Sequence, residues 1–195
     1  MRIIAGEFRS RRLVAPRGMA TRPTSDRLRE TLFNVLGSAV EGANFADLYA
    51  GSGAVGIEAL SRGARSVLFV DEAEAAVRAI RENLTSLQVR QGFTIEQRSV
   101  ASALRRLAER GGAAWQVVVL DPPYAMAKEY EQTLGLLGEL NEKLLQGGAV
   151  VVAEHEKRSS LGESFGPLRR TRVLTQGDAA LSFYRIDSPT RPAPG

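Results

Sequence analysis

The 195-residue chain contains no cysteine, which excludes disulfides, thiolate nucleophiles and cysteine-held metals. Its one histidine, His155, gives no basis for a histidine metal site or an acid–base pair, so no metal is expected. No run approaches the roughly 18 apolar residues of a membrane span, and the opening MRIIAGEFRSRR lacks the apolar core of a secretory signal. A cytoplasmic location is expected. Lysine is scarce: Lys128, Lys143 and Lys157 are the only lysines among 26 basic side chains. The arginine fork suits phosphate oxygens, although a GC-rich genome or a hot habitat produces the same bias.

What is present suits one ordinary domain, since a 44% hydrophobic and 25% charged composition supports a core without staples. A formal charge of +4 is a mild pointer to an anionic partner, and its distribution is more telling. Residues 1–30 hold Arg2, Arg9, Arg11, Arg12, Arg17, Arg22, Arg27 and Arg29 against Glu7, Asp26 and Glu30. The remainder is near neutral. Met1 to Ala5 reads as a short strand leading into a basic, glycine- and proline-punctuated arm, so 1–20 is read as an arm or small hairpin. The main domain spans 21–187, and the proline-rich 188–195 reads as a disordered tail.

Thr24, Ser25 and Asp26 are good caps for a helix carrying Leu28, Leu32, Val35 and Leu36 as far as about Ser38. Arg22, Arg27 and Arg29 gain nothing from the dipole at that helix start. They read either as a phosphate-binding face, with Arg9, Arg11, Arg12 and Thr24, or as a solvated surface with local pairs such as Asp26 with Arg29.

Strand-like Phe45–Ala50 runs into Gly51-Ser52-Gly53-Ala54-Val55-Gly56 and an apolar helix, then a strand from Ser66 to Val70 ends at Asp71. Glycines at this spacing allow a tight strand-to-helix turn and let a ligand lie against backbone, while the acid after the second strand reaches a ribose diol. Nicotinamide, flavin and S-adenosylmethionine sites share this adenosine geometry. Further alternation follows: a strand at Phe93–Gln97, a helix at Ser99–Arg110, a strand at Trp115–Leu120, and a helix at Lys128–Leu145 closed by Gly147-Gly148. A strand at Ala149–Ala153 comes next, then a loop at Ser160–Arg170 and closing strands at Arg172–Leu174 and Leu181–Ile186. The class is α/β, with a mostly parallel layered sheet and an antiparallel end.

The stretch VVVLDPPYA, residues 117–125, carries the chemistry. Two prolines end a buried strand abruptly, because each lacks a backbone donor and restricts its predecessor. Asp121, the Pro122 carbonyl and the Tyr124 ring then place acceptors beside a flat surface. That suits a planar ring with an exocyclic amino group, or else the tetrapeptide is only a strand exit.

Taken in order, Arg22-Pro23-Thr24, Asp26-Arg27, Arg29-Glu30, Leu32-Phe33-Asn34, the Asp47–Gly53 run, the Glu58–Ala64 run and Asp121-Pro122-Pro123-Tyr124 resemble the RsmD family of bacterial 16S ribosomal RNA guanine-N2 methyltransferases. The resemblance covers about three quarters of the chain. It implies a Rossmann-like, class I S-adenosylmethionine-dependent fold, with seven strands, the last reversed, and a small N-terminal extension. It also implies methylation of guanine 966 of 16S ribosomal RNA in the small subunit, by a monomer. By resemblance Asp47, Tyr49, Ala50, Gly51, Ser52 and Gly53 hold the donor's methionine part within the turn that Gly56 completes. Asp71 holds the ribose, with Glu72 a rival. Asp121 borders the donor and, with Pro122 and Tyr124, receives the flipped-out guanine. Ser99 stands where many relatives carry an acid for the adenine amino group, so Ser99 or the backbone of Val100 takes that place.

Other classes remain open at this level. DNA adenine-N6 and protein-glutamine methylation use similar acceptor corners, but no segment is long enough for a DNA target-recognition insertion. A nicotinamide oxidoreductase lacks an evident acid–base partner here. A non-catalytic ribosome-assembly RNA binder would keep the fold without transfer.

Overall fold

Short buried strands alternate with helices that each lay one apolar face on a sheet. The computed structural model describes residues 1–16, 26–111, 113–123 and 127–186. Helix α1 (Asp26–Leu36) tightens into a 3-10 turn at Gly37–Val40 and leads to β1 (Asn44–Leu48). There follow α2 (Ala54–Ser61), β2 (Ser66–Asp71), α3 (Glu74–Ser86), β3 (Phe93–Gln97), α4 (Val100–Glu109) and β4 (Trp115–Leu120). The second half holds α5 (Ala127–Glu139), α6 (Asn141–Leu144), β5 (Leu145–Glu156), β6 (Ser164–Phe165), β7 (Leu168–Gln176) and β8 (Ala179–Ile186).

The strands form one sheet in the order β3-β2-β1-β4-β5-β8-β7-β6. Pairing is parallel from β3 to β5 and antiparallel from β8 to β6. Among the described residues the sheet has eight strands rather than seven, because two residues of the expected 160–170 loop pair with Leu168 and Arg169 to make β6. A second departure concerns the glycine pair. Gly147 and Gly148 lie inside β5 rather than after a helix, and the expected helix to Leu145 divides at Leu140. Gly148 adopts φ +81, and the register shifts between Trp115 and Val117, so Leu145 pairs with Trp115 while Val150 pairs with Val117. A bulge of this kind needs the conformational freedom of glycine.

Both sheet faces are covered, as parallel strands require. Phe33 of α1, Ile57 of α2 and Ile80 of α3 pack with Phe45, Phe69 and Phe183 on one face. Leu104 of α4 and Leu134 and Leu137 of α5 pack with Leu48, Leu120 and Tyr184 on the other. The strand order reverses between β1 and β4, the topological switch point where open α/β sheets bind ligands. Among the described residues no helix is long and apolar enough to cross a membrane.

The basic N-terminal segment folds back on itself. Ile3 N–H donates to Arg11 O at 2.9 Å and Ser10 N–H to Ile3 O at 2.9 Å, and Arg2 bridges Arg12. Its tip docks on the end of α2, where Glu7 N–H donates to Ser61 O at 2.8 Å. Gly6 lies so close that a Cβ there would sit 1.8 Å from the Ser61 carbonyl oxygen.

Candidate active site

At the end of β1 the chain must turn sharply into α2. It does so with positive φ at Tyr49 (63°), Gly51 (55°) and Gly53 (75°). Glycine adopts this region freely, while a tyrosine there costs about 1–3 kcal/mol unless its surroundings enforce it. They do: Tyr49 Oη donates to Glu129 Oε2 at 2.7 Å and lies 2.7 Å from Thr133 Oγ1, both on α5. Burial raises the Tyr49 phenol well above its usual value, the Thr133 hydroxyl opposes this, and Glu129 adds to it. The Tyr49 side chain is thereby committed to α5, leaving its backbone to the turn.

Three carboxylates stand at the ends of adjacent strands. Asp71, closing β2, accepts from Gly51 N–H at 2.8 Å and Ala73 N–H at 2.9 Å. Of the two ribose candidates, Asp71 is therefore joined to the glycine turn, whereas Glu72 is exposed. Asp47 is buried on β1 and accepts from Gly56 N–H at 2.8 Å. Burial holds the Asp47 carboxyl well above the ordinary carboxylate range; the Gly56 amide opposes this, and the charges of Asp121 and Asp71 reinforce it. Asp121 follows β4, its N–H donating to Leu48 O at 3.3 Å beside the same turn.

The raised Asp47 group has a consequence for stability. Its folded form holds the proton more tightly than the unfolded chain, so stability falls as pH rises from about 4 through the raised titration range. Asp47→Asn is expected to remove this slope and raise the ligand-free melting temperature at neutral pH by a few degrees. Calorimetric melts of both proteins across pH, with and without S-adenosylhomocysteine, check this; equal pH slopes would contradict it.

Packing requires glycine at position 56. A Cβ there would lie 2.3 Å from Phe69 Cε1, so the missing side chain lets α2 approach β2. Ala50 and Ser52 are buried within the turn. Ser99 caps α4, its Oγ accepting from Ser102 N–H at 3.4 Å, and Val100 is buried behind it. Pro122 is buried, and the single hydroxyl proton of Tyr130 is shared between the Glu154 carbonyl at 2.9 Å and the Pro122 carbonyl at 3.2 Å. A carbonyl oxygen has two lone pairs, and among the described residues that of Pro122 meets the Tyr130 hydroxyl with one of them. Tyr124, Arg22 and Thr24 lie outside the described residues.

Arg29 requires correction. Expected on an RNA-facing surface, it is fully buried, with its guanidinium donating to Arg2 O and, at 3.0 Å, to Asp26 Oδ1. Its Nε lies 3.8 Å from Glu58 Oε2. Arg29 holds the hairpin to α1 and α2 and cannot touch RNA. Arg9, Arg11, Arg12 and Arg27 are exposed, and Arg2, Arg9 and Arg27 rim a concavity of about 380 Å³ with Asp26 and Glu30. Arg11 also donates to Ser86 O at 2.8 Å.

His155 is structural. Its Nδ1–H donates to Glu156 O, so Nε2 accepts from Ser182 Oγ, both at 2.8 Å. Burial first of all lowers its pKa below the usual 6.5. Glu58, Asn83 and Tyr130 were the residues missed. Glu58 is the one acid in the apolar helix AVGIEALS and Asn83 interrupts the buried stripe of Val77, Ile80 and Leu84, so both stood out in pattern without naming a partner.

The family model described as conserved hypothetical protein 95 matches residues 1–185. The chain belongs to the RsmD family. Within the RsmD family it is 34% identical to the ribosomal RNA small subunit methyltransferase D of Escherichia coli, over 96% of this chain and 91% of that one. It is 36% identical to a candidate rRNA methyltransferase of Bacillus subtilis, YlbH, over 95% and 98%. The solved structure of a candidate Escherichia coli methyltransferase, yhhF, superposes with a TM-score of 0.78 at 29% identity, covering 97% and 99% of the two chains. The RsmD-family fold here is the Rossmann-like methyltransferase fold.

Proposed function

We propose that this protein transfers a methyl group from S-adenosylmethionine to the exocyclic N2 of guanine 966 in 16S ribosomal RNA, within the assembling or complete small subunit, acting as a monomer. One observation carries the reading: the Asp121-Pro122 corner lies against the glycine turn, because Asp121 N–H bonds the last residue of β1 and Leu120 pairs with Leu48. Membership of a family whose relatives are named as rRNA methyltransferases supports the substrate class.

The residues present fit the donor. The positive-φ turn offers backbone, Asp71 offers a carboxylate to a ribose diol, and buried Asp47 gains a reason to ionise beside an ammonium group. When bound, the donor supplies a methyl group on a positively charged sulfur. The protein's part is orientation. A guanine amino nitrogen is a poor nucleophile because its lone pair is delocalised into the ring. Asp121 and the second lone pair of the Pro122 carbonyl accept its two hydrogens and turn the nitrogen lone pair out of the ring plane, with the shared Tyr130 hydroxyl against that carbonyl. Tyr124 stacks on the unstacked base.

RNA is held through Arg9, Arg12 and Arg27, with Arg11 contributing. Neutralising Arg9 and Arg27 together is expected to weaken RNA binding and reduce the slope of log affinity against log salt by about 2. Filter binding across a salt series measures this, and an unchanged slope would remove the concavity from the RNA surface. The activity itself is tested by mass mapping of 16S RNA from a deletion strain. Loss of the modified guanine, restored by the gene, is expected; intact methylation there would overturn the proposal.

A further inference from the structure

Asn83 has no part in the chemistry proposed above, yet it is 1% exposed in the last turn of α3. A buried amide is costly unless its donors and acceptor are used. Here they are. Val14 N–H donates to Asn83 Oδ1 at 2.8 Å, and Asn83 Nδ2 donates to Val14 O at 3.1 Å and to Ser52 O at 3.0 Å. One side chain therefore binds both backbone groups of a residue that follows the basic hairpin and, at the same time, a carbonyl of the glycine turn.

That carbonyl matters. The Ser52–Gly53 peptide has its oxygen held by Asn83 and its N–H held by Ala50 O at 2.7 Å. Gly51 and Gly53 on either side have no intrinsic stiffness, so the plane of this peptide is set by two bonds, the Ala50 carbonyl within the turn and the Asn83 amide from outside it. Two further contacts tie the same parts together. Ser52 Oγ donates to Met1 Sδ at 3.2 Å, and Arg11 reaches the Ser86 carbonyl at the end of α3. The segment bearing Arg9, Arg11 and Arg12 thus rests on the helix that braces the donor turn.

We propose that Asn83 is a positioning residue that couples the two ligands: RNA held by the basic hairpin fixes Val14, Asn83 then fixes the Ser52 carbonyl, and the donor binds more tightly. This rests on the proposed RNA methyltransferase function. The link is a coupling free energy and is reciprocal, so donor binding tightens RNA binding by the same factor.

The test is equilibrium dialysis of radiolabelled S-adenosylhomocysteine with the full chain, with and without hypomethylated small subunits. In the wild type the subunits are expected to tighten binding about fivefold or more, the lower range of allosteric couplings. Asn83→Asp keeps the acceptor for Val14 N–H and loses both donated bonds; Asn83→Ala loses all three. Both are expected to bind S-adenosylhomocysteine more weakly alone and to lose the RNA-dependent enhancement while still melting cooperatively. If Asn83→Ala fails to fold, Asn83→Asp supplies the reading. A wild type in which subunits bind without changing the analogue's affinity overturns the coupling, as does a variant that retains the enhancement. A wild type that transfers no methyl group to these subunits would instead overturn the function.

Discussion

Asp121→Ala is expected to slow methyl transfer by about 10²- to 10³-fold, the usual loss when one aligned hydrogen-bonding group is removed from a reacting centre. Donor affinity should be nearly unchanged, because Gly51 and Gly53 with Asp71 form the turn without it. The size follows from what remains. Without the carboxylate, one amino hydrogen still finds the Pro122 carbonyl, which Tyr130 holds from below, but the other loses its acceptor and the lone pair is no longer fixed. Asp121→Asn retains an acceptor oxygen without the charge and should fall between. Single-turnover transfer of tritiated methyl to hypomethylated small subunits, beside calorimetry with S-adenosylhomocysteine, separates the two steps. Full activity in the alanine variant would remove Asp121 from the mechanism.

Glu58→Ala is expected to be the most destabilising exchange among the residues discussed. Glu58 is fully buried and accepts from Ile4 N–H at 2.7 Å, Ala5 N–H at 3.0 Å and Arg62 Nε at 2.8 Å, and it faces Arg29. Arg29 Nε and Nη1 have no hydrogen-bond partner among the described residues, so their charge depends on this carboxylate nearby. Removing one member of a buried ion pair costs about 3–5 kcal/mol, and here the Ile4 and Ala5 amides lose their acceptor while Arg29 keeps only the half-exposed Asp26 as a charge partner. At about 2–4 °C per kcal/mol for a domain of this size, the melting temperature should drop by roughly 10 °C. The hairpin should detach as well, with Ile4 and Ala5 amides exchanging faster with deuterium. Pairing Glu58→Gln with Arg29→Met should recover part of the loss, because the uncompensated charge is gone. A melting temperature within a degree or two of wild type for Glu58→Ala would show that the hairpin is held by other contacts.

How far these features could be read in advance depended on the range of the interaction. The glycine turn, its acid at Asp71 and the Asp121-Pro122 strand exit are local, and backbone sterics alone place them. Arg29 is a different case. Beside Asp26 at a helix start it reads as a surface cation, and only the fold shows that Glu58, 29 positions on, lies beneath it. The Gly147-Gly148 pair misled for a related reason. Such a pair is a common helix stop, and it took the register of β4 to absorb it into a bulged strand. β6 is two residues long and has no periodicity to detect. Asn83 shows the same limit: a polar residue on an apolar stripe signals a bond partner but not which one.

The shortness of β6 leaves most of one sheet margin open. It covers Leu168 and Arg169, and Arg170 N–H still finds Glu163 O, so among the described residues β7 beyond Arg170 has β8 on one side and no strand on the other. Such a margin invites a second molecule to add a strand, and charged side chains with a bulge are the common deterrents. β7 carries both: Arg169, Arg170 and Arg172 fall within four positions, and the register slips between Arg170 and Arg172. Charge along that margin disfavours edge-to-edge pairing between copies, a reason for arginine there that needs no nucleic acid.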